Sequence, residues 1–174
     1  MAQLVLPLGH RDAMARADFI VAPGNAPALA YLEAYPDWTA PAAALYGPPA
    51  AGKTHLATIW AERAGAQLIA ARDLTALISG PLAIENLDDG IADEAILFAL
   101  LERGTPLLLT ARVAPAQWRA ALPDLASRFR AMVAFGLGAP DEALLMALAV
   151  KLFADSQVVV LWHSEQSVEN PPAR

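Results

Sequence analysis

The chain has 174 residues, of which 56% are hydrophobic, and it carries a formal net charge of −6. That length fits one domain with a sizeable core, and no apolar run approaches the roughly eighteen residues that a membrane span requires. Cysteine is absent and the only lysines are Lys53 and Lys151, which excludes a disulfide scaffold and disfavours direct, specific DNA binding through a basic patch. We therefore expect a cytoplasmic protein without a membrane segment.

An apolar hexapeptide, QLVLPL, occupies Gln3–Leu8. It does not have the form of a signal peptide, because no basic region precedes it and Pro7 interrupts the run. The segment is compatible with an edge strand, on which proline is tolerated, and with an extended peptide that fills a groove on a partner. The hexapeptide alone leaves both interpretations open.

Short apolar runs alternate with amphipathic segments along the chain. Strands are predicted, in chain order, at Ala42–Tyr46, Ala66–Ala71, Pro81–Leu87, Pro106–Thr110 and Ala131–Leu137. Helices are predicted at Ala26–Tyr35, Thr54–Ala64, Arg72–Ile78, Ile91–Arg103, Pro115–Ala121, Asp124–Arg128 and Asp141–Ala154. Continuous apolar strands separated by helices predict an α/β fold with a parallel, five-stranded sheet covered on both faces.

The motif GPPAAGKT, Gly47–Thr54, satisfies the pattern G-x-x-x-x-G-K-[ST] between a predicted strand and a predicted helix. Its glycines allow a tight loop whose backbone N–H groups point at phosphate oxygens. Lys53 is placed for the β- and γ-phosphates, the Thr54 hydroxyl for Mg²⁺, and the following helix adds its positive N-terminus. We therefore expect ATP or ADP with Mg²⁺ to bind here. The expected contacts are Gly47, Ala50, Ala51, Gly52, Lys53 and Thr54.

A P-loop also needs an acidic group at the end of another strand to hold Mg²⁺. Glu85 follows the apolar residues of the predicted strand Pro81–Leu87 and is the candidate; alternatively, it is only the first polar residue after a buried strand. The next residue is Asn86, which cannot take a proton from water, so weak intrinsic hydrolysis is expected. Asp88 could act instead, but its register does not fit the same strand end.

Several stretches together resemble the bacterial replication initiator DnaA family, a branch of the AAA+ ATPases. Leu45–Ala57, LYGPPAAGKTHLA, resembles the family's P-loop. Asp18–Asn25, DFIVAPGN, resembles the segment that lies beside the adenine. Leu107–Thr110 resembles the sensor 1 strand, and Leu122–Phe129, LPDLASRF, resembles the box VII segment. The likeness covers roughly residues 18–153.

This resemblance implies an AAA+ nucleotide-binding domain over residues 18–157 and assigns roles to single residues. Thr110 takes the sensor 1 position, and Arg128 takes the position of an arginine finger directed at a neighbouring subunit's nucleotide. Such a guanidinium neutralises charge on the γ-phosphate and works only across an interface. The alternative for Arg128 is a solvated arginine on a short helix. Nucleotide contacts are further implied for Ile20, Val21 and His55.

DnaA itself carries a basic DNA-binding domain after its ATPase domain, whereas no such segment is found here. A DnaA-like module preceded by QLVLPL resembles the Hda group, regulators that inactivate DnaA. The resemblance implies that residues 1–17 form a peptide and linker that bind the replication sliding clamp, with contacts from Gln3, Leu4, Leu6, Pro7 and Leu8. It also implies that the protein promotes ATP hydrolysis by DnaA and so represses re-initiation. The Ala- and Arg-rich, Lys-poor composition is compatible with an alphaproteobacterial version.

Residues 158–174, VVVLWHSEQSVENPPAR, depart from the family, which has a helical lid domain there. We expect a truncated or frame-shifted C-terminus in place of the lid. Two other functions remain open: a DnaC-like helicase loader, and a free-standing P-loop NTPase such as a kinase. A contact between two copies of the chain, as a homodimer, also remains open.

Overall fold

The computed structural model describes residues 14–140 and 142–155 and contains one sheet of five parallel strands in the order β2-β3-β4-β1-β5. The strands are β1 (Ala42–Tyr46), β2 (Gln67–Ala70), β3 (Leu82–Glu85), β4 (Leu107–Ala111) and β5 (Val133–Gly136). The helices are α1 (Ala26–Glu33), α2 (Lys53–Ala64), α3 (Glu94–Glu102), α4 (Pro123–Ala131) and α5 (Glu142–Asp155). The predicted fold class is confirmed. The hexapeptide Gln3–Leu8 and the tail 158–174 lie outside the described residues.

The three central strands, β1, β3 and β4, are buried on both faces, which explains why they are apolar without alternation. In β4, Leu107 and Leu109 face one core cluster and Leu108 faces the other, because successive side chains point to opposite sides. The first cluster receives Leu97 from α3 and Phe129 from α4. The second cluster receives side chains from α1 and α2, among them Leu29, Leu32, Leu56 and Trp60.

Several predicted boundaries shift; the strand predicted from Ala131, for example, begins at Val133, because Ala131 ends α4. Two of the shifts have a local cause. Helix α3 begins at Glu94 rather than Ile91, because the Asp93 carboxylate caps it by accepting hydrogen bonds from the N–H groups of Ala95 and Ile96 at 2.9 and 3.1 Å. Strand β3 ends at Glu85 rather than Leu87. Asn86 adopts a left-handed conformation, with φ at 59°, and starts a 3-10 turn over Leu87–Asp89.

Two predicted short helices are single 3-10 turns. The first covers Ala71–Asp73, after which Leu74 is fully buried in the core and the chain leaves the helical region. The second covers Pro115–Gln117, after which Trp118 adopts an extended conformation and donates its indole N–H to the Val113 carbonyl at 2.7 Å. In both places burial of one large side chain replaces continuation of the helix.

No helix within the described ranges is long and apolar enough to cross a membrane.

Candidate phosphate-binding site

The glycine-rich loop lies where β1 ends and α2 begins, at the carboxyl edge of the sheet. Gly47 donates its N–H to the Ala111 carbonyl at 3.2 Å. A Cβ atom at Gly47 would lie 2.2 Å from the backbone oxygen of Leu137, so only glycine fits. Gly52 precedes α2 with φ at 91°, and Ala50 also has a positive φ, 62°. The loop is therefore held in a conformation that ordinary residues rarely adopt.

Lys53 and Thr54 form the first turn of α2, as the motif predicts. The Lys53 ammonium donates to the carbonyl oxygens of Gly47 and Pro48, both at 2.8 Å, and so folds over the loop. Burial lowers the pKa of Lys53; Asp88 and, more weakly, Glu85 act to raise it, and the cation of Arg112 acts to lower it. The pKa of the Lys53 ammonium therefore depends on three charged side chains near the ends of the neighbouring strands.

Glu85 is the last residue of β3, and its Oε1 atom is buried without a hydrogen-bond partner among the described residues. Such an oxygen is destabilising unless a ligand or water satisfies it. Thr110, 1% exposed, lies on the adjacent strand β4, and its hydroxyl oxygen accepts the backbone N–H of Asn86 at 3.3 Å. The strand ends therefore bring Glu85, Asn86 and Thr110 together beside the glycine-rich loop.

The carboxylate of Glu85 and the hydroxyl of Thr54 are both oxygen donors of the kind that Mg²⁺ prefers. The unpartnered Oε1 atom of Glu85 fits a Mg²⁺ ion or one of its waters. In the part of the chain that the structure describes, no three His, Asp or Glu side chains are grouped to hold a metal ion by themselves. Magnesium at nucleotide sites commonly takes only one or two carboxylates and completes its shell with phosphate oxygens and waters.

Arg112 is a member of this region that the sequence analysis missed. It follows β4 directly, donates from its guanidinium to Asp88 and Asp89, and donates its backbone N–H to Asp88 at 3.2 Å. Partial burial acts to raise the pKa of Asp88, but the hydrogen bonds from Arg112 outweigh it and hold that pKa below its usual value. Asp88 does not continue β3, yet the turn after Asn86 brings its charge within reach of Lys53.

The segment predicted to lie beside the adenine borders a small cavity of about 50 Å³. Asn25 holds this segment by donating to the Ile20 carbonyl at 3.1 Å and accepting the N–H of Ala22 at 2.8 Å. Ala22, Asn25 and Ala51 line the cavity, together with Leu137 and Leu144. Ile20 and Val21 are not among its lining residues, and Val21 is 50% exposed.

His55 lies on the first turn of α2, on the side of the N-terminal segment. Its Nε2 is 3.0 Å from the Ala15 carbonyl, and its ring packs edge-on against Phe19, with the ring centres 5.1 Å apart. These contacts join α2 to the segment that precedes α1. The ion pair between Lys151 and Asp18, at 2.9 Å, joins the same segment to α5.

Arg128 lies on the exposed side of α4, with its side chain 54% exposed. Its guanidinium donates to the Glu102 carboxylate at the end of α3. The helix that carries it is anchored by the buried residues Leu125 and Phe129, and by Glu94, which accepts the backbone N–H groups before α4. Arg128 is therefore a surface cation on a rigidly held helix.

Comparison with solved structures shows which fold this is. Domain III of the replication initiation protein DnaA from Thermotoga maritima superposes with a TM-score of 0.67 at 19% identity, over 84% of this chain and 76% of that one. AMPPCP-bound DnaA from Aquifex aeolicus gives 0.65 at 18% identity, over 82% of this chain and 55% of that one. A putative primosome component from Streptococcus pyogenes gives 0.53 at 18% identity, over 74% and 90%.

The chain thus has the fold of DnaA domain III, and it spans about half the length of the Aquifex protein. A scan against protein-family models and a search of curated proteins each gave no match.

Proposed function

We propose that this protein is a cytoplasmic, Hda-type nucleotide-binding regulator that docks on the DNA sliding clamp and promotes ATP hydrolysis by DnaA, so that chromosome replication is not re-initiated. The observation that carries the proposal is the glycine-rich loop with Lys53 folded over it, beside the unpartnered carboxylate oxygen of Glu85. The DnaA fold supports it, because the Aquifex relative binds AMPPCP in the same fold.

Nucleotide binding would use groups that already converge at the loop. Lys53 would exchange the carbonyl oxygens of Gly47 and Pro48 for oxygens of the β- and γ-phosphates, and the N-terminal N–H groups of α2 would add further donors. Thr54 and Glu85 would hold Mg²⁺, which neutralises phosphate charge when bound. The base would lie on the side of Asn25, whose hydrogen bonds fix the backbone there.

The strand end after Glu85 is poorly equipped for hydrolysis. Asn86 occupies the position where a second carboxylate would activate water, and an amide cannot accept that proton. Its backbone N–H is engaged by Thr110, which ties the sensor 1 position to this turn. The protein would therefore hold its own nucleotide as a structural ligand and hydrolyse it slowly.

Arg128 would act on the nucleotide of DnaA rather than on its own. Exposure on a firmly anchored helix suits a residue that must reach across an interface. Its pairing with Glu102 keeps the guanidinium ordered before docking. Exposed ion pairs of this kind contribute only about 0–1 kcal/mol, so leaving Glu102 for a γ-phosphate would be easy.

The experiment that tests this function measures ATP hydrolysis by DnaA in the presence of clamp loaded on DNA. The intact chain should accelerate hydrolysis, and a Gln3→Ala, Leu6→Ala double variant should lose both clamp binding and the acceleration. A His10→Ala variant serves as the control in the same N-terminal region. Failure of the intact chain to bind the clamp or to accelerate hydrolysis would contradict the proposal.

A second candidate is a DnaC-like helicase loader, and the likeness to a putative primosome component favours considering it. Both candidates use the same nucleotide site, but a loader has no need for the clamp. A pull-down of the intact chain with the replicative helicase and, separately, with the clamp distinguishes them.

A further inference from the structure

The ATPase motifs do not account for Arg112, although its backbone lies inside the candidate site. Strand β4 runs between β1 and β3, and its register pairs Ala111 with Tyr46. The next residue on each strand is Arg112 on β4 and Gly47 on β1, and the Gly47 N–H bonds to the Ala111 carbonyl at 3.2 Å. Arg112 therefore leaves the sheet between the start of the glycine-rich loop and the end of β3.

The guanidinium of Arg112 is held by carboxylates in the described structure. It donates to Asp88 through Nε and to Asp89 through Nη2. The Arg112 side chain is 53% exposed, whereas that of Asp88 is 17% exposed. Because half of the arginine side chain faces solvent, it can turn about its own bonds without repacking the core.

The positive charge of Arg112 offsets negative charge at the end of β3. Glu85 ends β3 and Asp88 and Asp89 lie in the turn after it, and the phosphates of a nucleotide would add further negative charge beside them. Arg112 and Lys53 are the cations whose charges meet at this strand end. A triphosphate brings more negative charge than a diphosphate, so it gains more from a second cation. A guanidinium also matches two phosphate oxygens at once, which an ammonium does not.

We propose that Arg112 is the residue that distinguishes a nucleoside triphosphate from a diphosphate at this site. With no γ-phosphate present it is held by Asp88 and Asp89, and with a triphosphate bound it turns its guanidinium onto the γ-phosphate. The inference rests on the proposed nucleotide site and adds the specificity of that site. Asp88 and Asp89 act as the counter-ions that keep Arg112 ordered between the two states.

The experiment is equilibrium binding of ADP and of AMPPCP, each with Mg²⁺, to the intact chain and to Arg112→Gln. The variant should lose about tenfold or more in AMPPCP affinity, since hydrogen bonds to charged groups are the strong ones, and change by no more than about twofold for ADP. Arg112→Lys keeps the positive charge and loses the two-pronged geometry of the guanidinium. Its AMPPCP affinity should lie between those of the intact chain and Arg112→Gln. Arg72→Gln is the matched control, because Arg72 is exposed and its nearest carboxylate is that of Asp73, at 3.9 Å.

A double variant, Arg112→Gln with Asp88→Asn, separates direct contact from charge neutralisation. If Arg112 binds the γ-phosphate, AMPPCP affinity stays low in the double variant. Full recovery of that affinity would overturn the proposal, because Arg112 would then serve only to neutralise Asp88. An equal loss for ADP and AMPPCP, accompanied by a lower melting temperature, would also overturn it and assign Arg112 a structural role.

The outcomes also separate this proposal from the one on which it rests. If the intact chain binds ADP and Arg112→Gln has the same ratio of AMPPCP to ADP affinity as the intact chain, the role of Arg112 is refuted and the proposed nucleotide site is not. Absence of binding by either nucleotide to the intact chain refutes both.

Discussion

Arg112 and Arg128 are alike in their local structure and differ in what surrounds them. Their side chains are 53% and 54% exposed, and each donates to carboxylates of the same chain. Arg112 follows a central strand and shares its surroundings with Lys53, whereas Arg128 lies on α4 and pairs with the end of α3. Exposure and pairing therefore do not distinguish the two arginines, whereas their positions relative to the glycine-rich loop do. We propose that Arg112 acts on this protein's own nucleotide and Arg128 on that of a partner.

The largest effect is expected from Lys53→Ala. Among the described residues, the hydrogen bonds of the ammonium go to the carbonyls of Gly47 and Pro48, so its loss should leave the fold intact. Affinity for both ADP and ATP should fall by about a hundredfold or more, since the partly buried ammonium that would face the phosphates is lost. Isothermal titration measures the affinities, and an unchanged circular dichroism spectrum verifies folding. Normal nucleotide affinity in this variant would remove the basis for a phosphate site.

Arg128→Ala should impair hydrolysis of the nucleotide on DnaA without weakening the binding of this protein's own nucleotide. In the presence of clamp on DNA, the stimulated rate of ATP hydrolysis by DnaA should fall by about a thousandfold. If the unstimulated rate of DnaA is higher than that, the rate should fall to the unstimulated rate. ADP binding by the variant should stay within about twofold. Arg130→Ala is the matched control on the same helix, because Arg130 is also exposed and its guanidinium donates to the Ser127 hydroxyl at 3.2 Å. Equal loss of stimulation in the two variants would make α4 a general docking surface and would end the finger assignment.

Glu85→Gln should have an intermediate effect that depends on magnesium. The variant keeps the shape of the side chain and removes the charge that we expect to hold the ion. The intact chain should bind ATP about tenfold or more tightly with Mg²⁺ than with EDTA, and the variant should lose most of that difference. Glu62→Gln, on the exposed part of α2, is the control. If the variant kept the full difference between Mg²⁺ and EDTA, Glu85 would not be a residue that holds the ion.

The smallest effect is expected on stability and depends on pH. The pKa of Asp88 lies below its usual value because partial burial, which raises it, is outweighed by the hydrogen bonds from Arg112. A carboxyl with a lowered folded pKa stabilises the fold above its unfolded pKa, about 3.9, and loses that contribution as the pH falls through the folded value. The melting temperature of the intact chain should therefore exceed that of Asp88→Asn near neutral pH, and the gap should close below about pH 4. A gap that is constant with pH would show that this ion pair does not contribute.

The parts of the molecule that were predictable from sequence are those encoded locally. The glycine-rich loop and the start of α2 depend on neighbouring residues alone, so GPPAAGKT sufficed. The start of α3 was also readable, because Asp93 is a strong N-cap residue directly before the apolar run, and we placed the boundary too early by ignoring it.

The contact between Arg112 and Asp88 could not be read from sequence in the same way. It requires that β4 lie beside β3 and that Asn86 turn the chain back through a left-handed conformation. Neither the strand order nor a positive φ at asparagine follows from hydrophobic periodicity. An arginine directly after one strand and an acidic pair shortly after another were the available signals, and they become informative only once the order of the strands is known.

A crystal structure of the chain with AMPPCP and Mg²⁺ would show directly whether the glycine-rich loop binds phosphates. We predict phosphates within the loop 47–52, the Lys53 ammonium moved from the carbonyls of Gly47 and Pro48 onto phosphate oxygens, and Mg²⁺ beside Thr54 and Glu85. If Lys53 were still bonded to those two carbonyls, with the nucleotide bound elsewhere or not at all, this loop would not be the phosphate site.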